Sequence, residues 1–412
     1  MDEAGPVRPD PRPAPVVLPA LLPLAVLAGI SPLATDMYIP GLPALAAELG
    51  TDAGTAQLSL TTFLVAFAVG QLLIGPVSDA VGRRRVLLVG VAVFAVTSVL
   101  CALAPSLPVL LVGRLLQGLA GACGSIAARA MVTDVLTGTE RARMIGSLAA
   151  VNAVGPVAAP LVGGVLLTLF SWRSTFWVLA VVGVVLWAWA AATFPETLPP
   201  ERRSHGVGVR ANAARMRTLL AIPRLSLYLA TSCLATIGFF AYIATSSFVF
   251  QSGYGYSESA YSVVFATNAT CMILSTLAFR RLVTRVSEDR LLSLGLVVGT
   301  AAALGVLLSA LAGAPSGLVW AFLAVVTGAN GLVITGSATR TQALGSASPG
   351  TAAALQGGLS FGLGGLGSPL AGLLGGSPTA MGAVMLGGLG LAAVLQVVVP
   401  RFLRGSAVPE PG

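Results

Sequence analysis

Long apolar runs separated by short polar gaps make up most of the sequence. A helix that crosses a bilayer takes about 20 mostly apolar residues. Twelve stretches reach that length, near 17–39, 57–78, 86–105, 108–133, 144–168, 174–194, 224–250, 258–280, 291–312, 315–338, 350–374 and 379–400. In lipid the backbone polar groups must be satisfied within each segment, so these runs predict helices. The spans of a membrane barrel would be shorter and would alternate polar with apolar positions, and these do not. The pattern therefore predicts an all-α integral membrane protein with 12 transmembrane helices.

Charge placement orients it. Only 9% of residues are charged and 56% are hydrophobic, against about 25% charged in soluble domains. All 23 basic residues are arginine. Twenty lie in alternate gaps or the tails: Arg8, Arg12, Arg83 to Arg85, Arg141, Arg143, Arg202, Arg203, Arg210, Arg215, Arg217, Arg224, Arg280, Arg281, Arg285, Arg290, Arg340, Arg401 and Arg404. The opposite side has only Arg173, and Arg114 and Arg129 fall inside a run. This asymmetry predicts that both termini are cytoplasmic, in a multi-pass protein of the inner (cytoplasmic) membrane. The net charge of +8 sits in short loops without interleaved aromatics, which fits a lipid surface and not nucleic acid.

The longest interior gap, 195–223, divides the spans six and six. The expected organisation is a tail (1–16), a six-helix bundle (17–194), a cytoplasmic linker (195–223), a second bundle (224–402) and a tail (403–412). Within the linker, Val207 to Leu220 mixes arginines with apolar residues and reads as either a helix on the inner leaflet or a solvated tether. The halves echo each other. Pro160-Leu161-Val162-Gly163 recurs as Pro369-Leu370-Ala371-Gly372, Gly118 and Gly121 as Gly328 and Gly331, and Gly124-Ser125 as Gly336-Ser337. The shared offset of 209–212 residues points to two repeats, as in secondary transporters.

Several chemistries are excluded. Cys101, Cys123, Cys233 and Cys271 have no paired spacing, and His205 is the single histidine, so no metal site or disulfide framework is expected. A chain without lysine cannot hold a phosphate-binding Gly-x-x-x-x-Gly-Lys loop. With no cluster of catalytic groups at one depth, no enzyme and no cofactor are expected.

Four motifs carry more. Gly75-Pro76-Val77-Ser78-Asp79-Ala80-Val81-Gly82-Arg83-Arg84-Arg85 follows the second run. Its glycines suit a tight interhelical turn, Asp79 is placed to face the start of the eleventh run near Pro349, and Asp134 is a partner for Arg83. The fourth run opens Gly113-Arg114-Leu115-Leu116-Gln117-Gly118, and an arginine that deep must face protein or water. The fifth holds Gly146 and then Gly155-Pro156-Val157-Ala158-Ala159-Pro160-Leu161-Val162-Gly163-Gly164, a close-packing, locally kinked face. The first ends Thr35-Asp36-Met37-Tyr38-Ile39-Pro40-Gly41-Leu42-Pro43. Asp36 is an acid in the deeper part of a span, near the depth of Arg114.

These strings resemble the major facilitator superfamily: its signature loop (with Ala80 where the family usually has a basic residue), its Arg-x-x-Gln-Gly motif and its antiporter motif. The Thr-Asp-Met-Tyr string and Pro195-Glu196-Thr197-Leu198 resemble its bicyclomycin/chloramphenicol-resistance (Bcr/CflA) branch of drug–proton antiporters. The resemblance implies a multidrug or antibiotic efflux transporter exchanging drug for protons. Asp36 and Arg114 would couple the proton. Gly75, Asp79, Gly82, Arg83, Asp134, Gly155, Pro156, Pro160, Gly163 and Gly164 would serve conformational gating. Spans one, four, seven and ten would line a central cavity, which gives Tyr38, Gln117, Phe239, Phe240, Tyr242 and Asn330 as candidate substrate contacts. The expected ligand is a small amphipathic drug, the coupling ion a proton and the assembly a monomer. A proton-coupled exporter of a metabolite such as a sugar or amino acid is the alternative.

Overall fold

The computed structural model describes residues 21–203 and 208–405; the expected N-terminal tail, His205, part of the linker and the C-terminal tail beyond residue 405 lie outside them. The regular structure among the described residues is helical. In chain order they form α1 (Leu21–Ala28), α2 (Ile30–Asp36), a 3₁₀ turn (Ile39–Gly41), α3 (Leu42–Glu48), α4 (Ala53–Val81), α5 (Arg83–Ala102), α6 (Leu107–Val135), α7 (Gly138–Leu169) and α8 (Arg173–Thr193). There follow α9 (Gly208–Leu220), α10 (Pro223–Phe248), α11 (Glu258–Leu282), α12 (Glu288–Leu311), α13 (Ser316–Leu344), α14 (Pro349–Gly364), α15 (Gly367–Leu373) and α16 (Pro378–Gly405). Among the described residues, nine helices are each long and apolar enough to cross a membrane.

Two expected runs are broken. The first divides at Gly29 into α1 and α2 and ends at Asp36, ahead of a 3₁₀ turn that contains Pro40. The eleventh divides between α14 and α15. There Gly367 sits so tightly on α10 that a side-chain carbon would overlap the carbonyl of Ile237. Close approach of two backbones selects glycine, and the glycines that allow it also weaken the helix. In contrast, α7 runs unbroken through Pro156 and Pro160.

The helices pack in two groups. In one, α4 lies against α6, α5 against α6 and α8, and α7 against α1 and α2; in the other, α10 and α12 lie against α13 and α16, and α11 against α13. The seam between them is formed by α7 on α11 and by α4 on α14 and α15. At the end that holds α3, hydrogen bonds close this seam. Gln251 Nε2 donates to the Pro40 carbonyl (2.8 Å), Thr61 Oγ1 to that of Gly365 (3.1 Å) and Ser368 Oγ to that of Gln57 (3.3 Å). Asp52 caps α4 by accepting from the Thr55 N–H and hydroxyl, and these bonds hold its carboxyl below the usual range. Arg173 clamps Glu48 at 2.9 Å and the Ala104 carbonyl at 2.8 Å.

At the opposite end the signature loop is built around three acids, Asp79, Asp134 and Glu196. Gly82 joins α4 to α5 with φ +108°, a left-handed value that favours glycine. Arg83 bonds Asp134 (3.1 Å) and Ser78 (2.6 Å) and pairs with Asp79. Asp79 thus faces its own turn, and no bond carries it to the start of α14. Glu196 Oε1 accepts from the N–H groups of Arg83 (2.9 Å), Thr197 and Leu198 (both 3.1 Å). A carboxylate on the first amides of a helix satisfies donors that have no partner within it. The linker forms a helix, α9, whose Leu219 is buried with Leu225, Leu229, Ala352 and Leu355. Its Asn212 reaches the Leu72 carbonyl of α4 and the Thr351 hydroxyl of α14.

Glu196→Ala removes the acceptor at the start of α5 and destabilises the protein by about 1–2 kcal/mol. The melting temperature in detergent falls, and Glu196→Gln, which keeps one acceptor oxygen, recovers part of the loss. Equal melting of Glu196→Ala and wild type would remove this role.

Candidate functional site

Asp36 ends α2 and is 6% exposed. Its Oδ1 accepts from the Thr35 hydroxyl at 2.9 Å. It lines a cavity of about 290 Å³ in the seam, to which α2, α7, α10, α11, α13 and α14 all contribute. Phe239, Phe240, Phe265 and Phe361 make much of the wall, with Tyr242 and Met272. Within it Phe240 lies 5.9 Å from Phe361 and Tyr242 6.0 Å from Phe265, ring centre to ring centre. An apolar aromatic wall with few polar groups suits an amphipathic organic ligand.

Arg114 is fully buried, but away from that cavity. Its Nη1 donates to the Ala34 carbonyl (3.0 Å) and Gln117 Oε1 (2.7 Å), and its Nε to the Ser59 carbonyl (3.2 Å). The guanidinium carbon lies 4.3 Å from the Phe63 ring centre, 4.5 Å from Tyr38 and 5.6 Å from Phe176. Such cation–π contacts strengthen when desolvated. Gln117 passes the network on to Ser98 at 2.7 Å, and Tyr38 bonds Ser59 at 3.2 Å. Arg114 therefore ties together α2, α4, α5, α6 and α8.

The structure does not bring Asp36 and Arg114 together. No ion pair joins them; Arg114 grips the carbonyl two residues before Asp36 in the same helix. The expected direct attraction is replaced by neutral carbonyls and ring faces. Tyr38 and Gln117 serve that cage and are absent from the cavity wall, whereas Phe239, Phe240 and Tyr242 are on it. Asn330 is 1% exposed and also off the wall. Sequence reasoning missed Asn268 and Gln356, both on the wall. The available signal was an amide within an apolar run, which is costly in lipid unless it has a task.

The glycines of α7 fall into distinct settings. A side-chain carbon on Gly155 would lie 2.9 Å from Pro32 Cβ. On Gly163 it would overlap the Met37 carbonyl, next to Asp36, and on Gly164 the Ser262 hydroxyl of α11. Pro156 lines the cavity and Pro160 is buried. Gly146 and Gly75 have open space around them, so neither marks a close approach.

Comparisons with known proteins decide the family. The family model described as Major Facilitator Superfamily matches residues 24–371. The chain belongs to that superfamily. It is 35% identical over 369 residues to the "Uncharacterized MFS-type transporter YdgK" of Bacillus subtilis (strain 168), covering 88% of this chain and 90% of that one. It is 27% identical to the "Bicyclomycin resistance protein homolog" of Haemophilus influenzae, covering 71% of this chain and 73% of the relative. It is 33% identical to a "Chloramphenicol resistance protein" of Pseudomonas aeruginosa, covering 65% of this chain and 62% of the relative. Among solved structures, the fold matches a bacterial homolog of the human lysosomal transporter Spinster, inward-facing and unoccupied, with a TM-score of 0.72 at 18% identity over 95% of this chain and 96% of that one. The chain is thus a multi-pass membrane transporter of the superfamily, with relatives named for antibiotic resistance.

Gly163→Ala forces α7 away from α2, at about 1–3 kcal/mol for an overpacked contact. Thermal unfolding in detergent is expected to drop for Gly163→Ala and to stay at the wild-type value for Gly146→Ala. Equal behaviour of the two variants would mean that the α2–α7 contact is not tight.

Proposed function

We propose that this transporter exports amphipathic drug-like molecules across the cytoplasmic membrane in exchange for protons. One observation carries the reading: a single carboxylate, Asp36, sits in the wall of an apolar, aromatic cavity and has no cationic partner among the described residues. A carboxylate so placed changes charge by one when it takes a proton, and that change alters how the cavity receives a ligand and how the seam closes. The names of the relatives support drugs as cargo. The sparse polar lining supports them over a sugar or amino acid.

In this reading twelve spans form two six-helix halves, with both termini and α9 on the cytoplasmic side. The hydrogen bonds at the α3 end then close the outer side of the seam. Drug enters the cavity from the cytoplasm while Asp36 is ionised. The halves rock about the cavity, the drug leaves outward and Asp36 takes a proton from outside. The return swing delivers the proton inward. Each charge moved inward releases about 2.3 kcal/mol per 100 mV, which supports roughly a 50-fold gradient of a neutral drug at 1.4 kcal/mol per tenfold. The protein works as a monomer without a cofactor, and the proton is its coupling ion. Arg114 acts as a positioning residue, because it holds the helix that carries Asp36.

In proteoliposomes with an imposed pH gradient, wild type drives uphill drug movement. Asp36→Asn is expected to abolish uphill movement while downhill exchange continues. Arg114→Ala is expected to lower the melting temperature, since it empties a node shared by five helices. Uphill transport by Asp36→Asn at the wild-type rate would overturn the coupling role.

A further inference from the structure

The wall of the cavity carries two amides whose hydrogen bonding is half complete. Asn268 of α11 is fully buried; its Nδ2 donates to the Tyr242 hydroxyl at 3.0 Å, and its Oδ1 has no partner. Gln356 of α14 is 9% exposed; its Nε2 donates to Ser232 Oγ at 2.6 Å, and its Oε1 has no partner. Ser232 and Ser360 in turn bond each other at 3.0 Å. The threonines on the wall have spent their hydroxyls: Thr236 on the Ser232 carbonyl (2.7 Å), Thr327 on that of Leu323 (3.0 Å) and Thr35 on Asp36 and the Ser31 carbonyl. Asn268 Oδ1 and Gln356 Oε1 are thus acceptors on this wall with no partner among the described residues, beside the Tyr242 hydroxyl, which accepts from Asn268 and keeps its own proton free to donate.

A buried polar group left unpaired is destabilising by about 1–3 kcal/mol, and in lipid it persists where a ligand or water meets it. Both amides border a space lined also by Phe239, Phe240, Phe265 and Phe361. Both are neutral, so neither takes part in the change of charge at Asp36. Each is anchored at one end by a neighbour, which fixes the side chain, and its other end has no partner among the described residues.

We propose that Asn268 and Gln356 are specificity residues that hydrogen-bond hydroxyl or amide groups of the cargo. The cargo class is then a neutral aromatic molecule bearing hydroxyls or amides, in preference to a lipophilic cation with no hydrogen-bonding group. The inference rests on the exporter reading and names its substrate class. The aromatic rings take the ring of the ligand, the amides select its polar arm, and Asp36 is left to the proton.

The test is equilibrium binding to the purified full chain in lipid nanodiscs with two probes. Chloramphenicol has an aromatic ring, two hydroxyls and an amide; tetraphenylphosphonium has rings and charge but no hydrogen-bonding group. Asn268→Leu and Gln356→Leu are each expected to weaken chloramphenicol about five- to tenfold, the effect of one lost hydrogen bond, with tetraphenylphosphonium changed less than about twofold. Retained binding of the cation shows that the variants are folded. Parallel weakening of both probes, unchanged chloramphenicol binding in both variants, or a wild type that binds only the cation would each overturn the specificity assignment and leave the exporter reading standing. A wild type that binds neither probe would overturn the exporter reading and this inference with it.

Discussion

A guanidinium buried in the membrane interior without a carboxylate to neutralise it governs this molecule. Desolvating a charge is expensive unless it is paired or hydrogen-bonded. Arg114 meets most of that demand with two backbone carbonyls, one side-chain amide and three aromatic faces, its Nη2 being left without an acceptor among the described residues. Its partners lie on α2, α4, α8 and its own helix α6, and Gln117 carries the network on to α5, so satisfying one charge fixes the relative positions of five helices. Because neutral groups do this work, the nearby acid is released from it. Asp36 faces the cavity, and among the described residues the Thr35 hydroxyl alone is bonded to its carboxylate.

The seam follows from the same economy of polar groups. Helices in lipid gain nothing from hiding apolar surface from each other, so they associate through close packing and a few hydrogen bonds. Gly163 lets α7 meet the Met37 carbonyl, and Gly164 lets it meet Ser262 across the seam. One turn of α7 thus touches both the segment beside Asp36 and the opposite group of helices. A change at the acid has a short mechanical route to the seam through that contact. Few hydrogen bonds hold the α3 end closed, which is what a seam that must open requires.

Much of this could be read from the sequence, and the misses have physical causes. The apolar runs located the long helices because lipid leaves the backbone no alternative. They did not reveal the breaks at Gly29 and between Gly364 and Gly367, since hydropathy does not sense a backbone pressed against a neighbour. Asp36 and Arg114 stood out because charges are rare in such runs. Their separation was invisible: residue counting gives depth along a helix but not the direction in which a side chain points. Tyr38 and Gln117 were drawn toward the cavity by the same blindness, and both proved to be partners of Arg114. Glu196 was noticed only as part of a family string, yet it closes the start of α5. Asn268 and Gln356 went unread because a single amide in a glycine- and threonine-rich run carries no spacing signal.

The most direct measurement is the number of protons released when drug binds to the purified protein in weakly buffered solution. Asp36 as the exchanged group requires that wild type release protons on binding and that Asp36→Asn release none. A control, Glu48→Gln, alters a carboxylate engaged by Trp172 and Arg173 at the α3 end, and it should release protons as wild type does. Undiminished release from Asp36→Asn would contradict the assignment and move the coupling to another group.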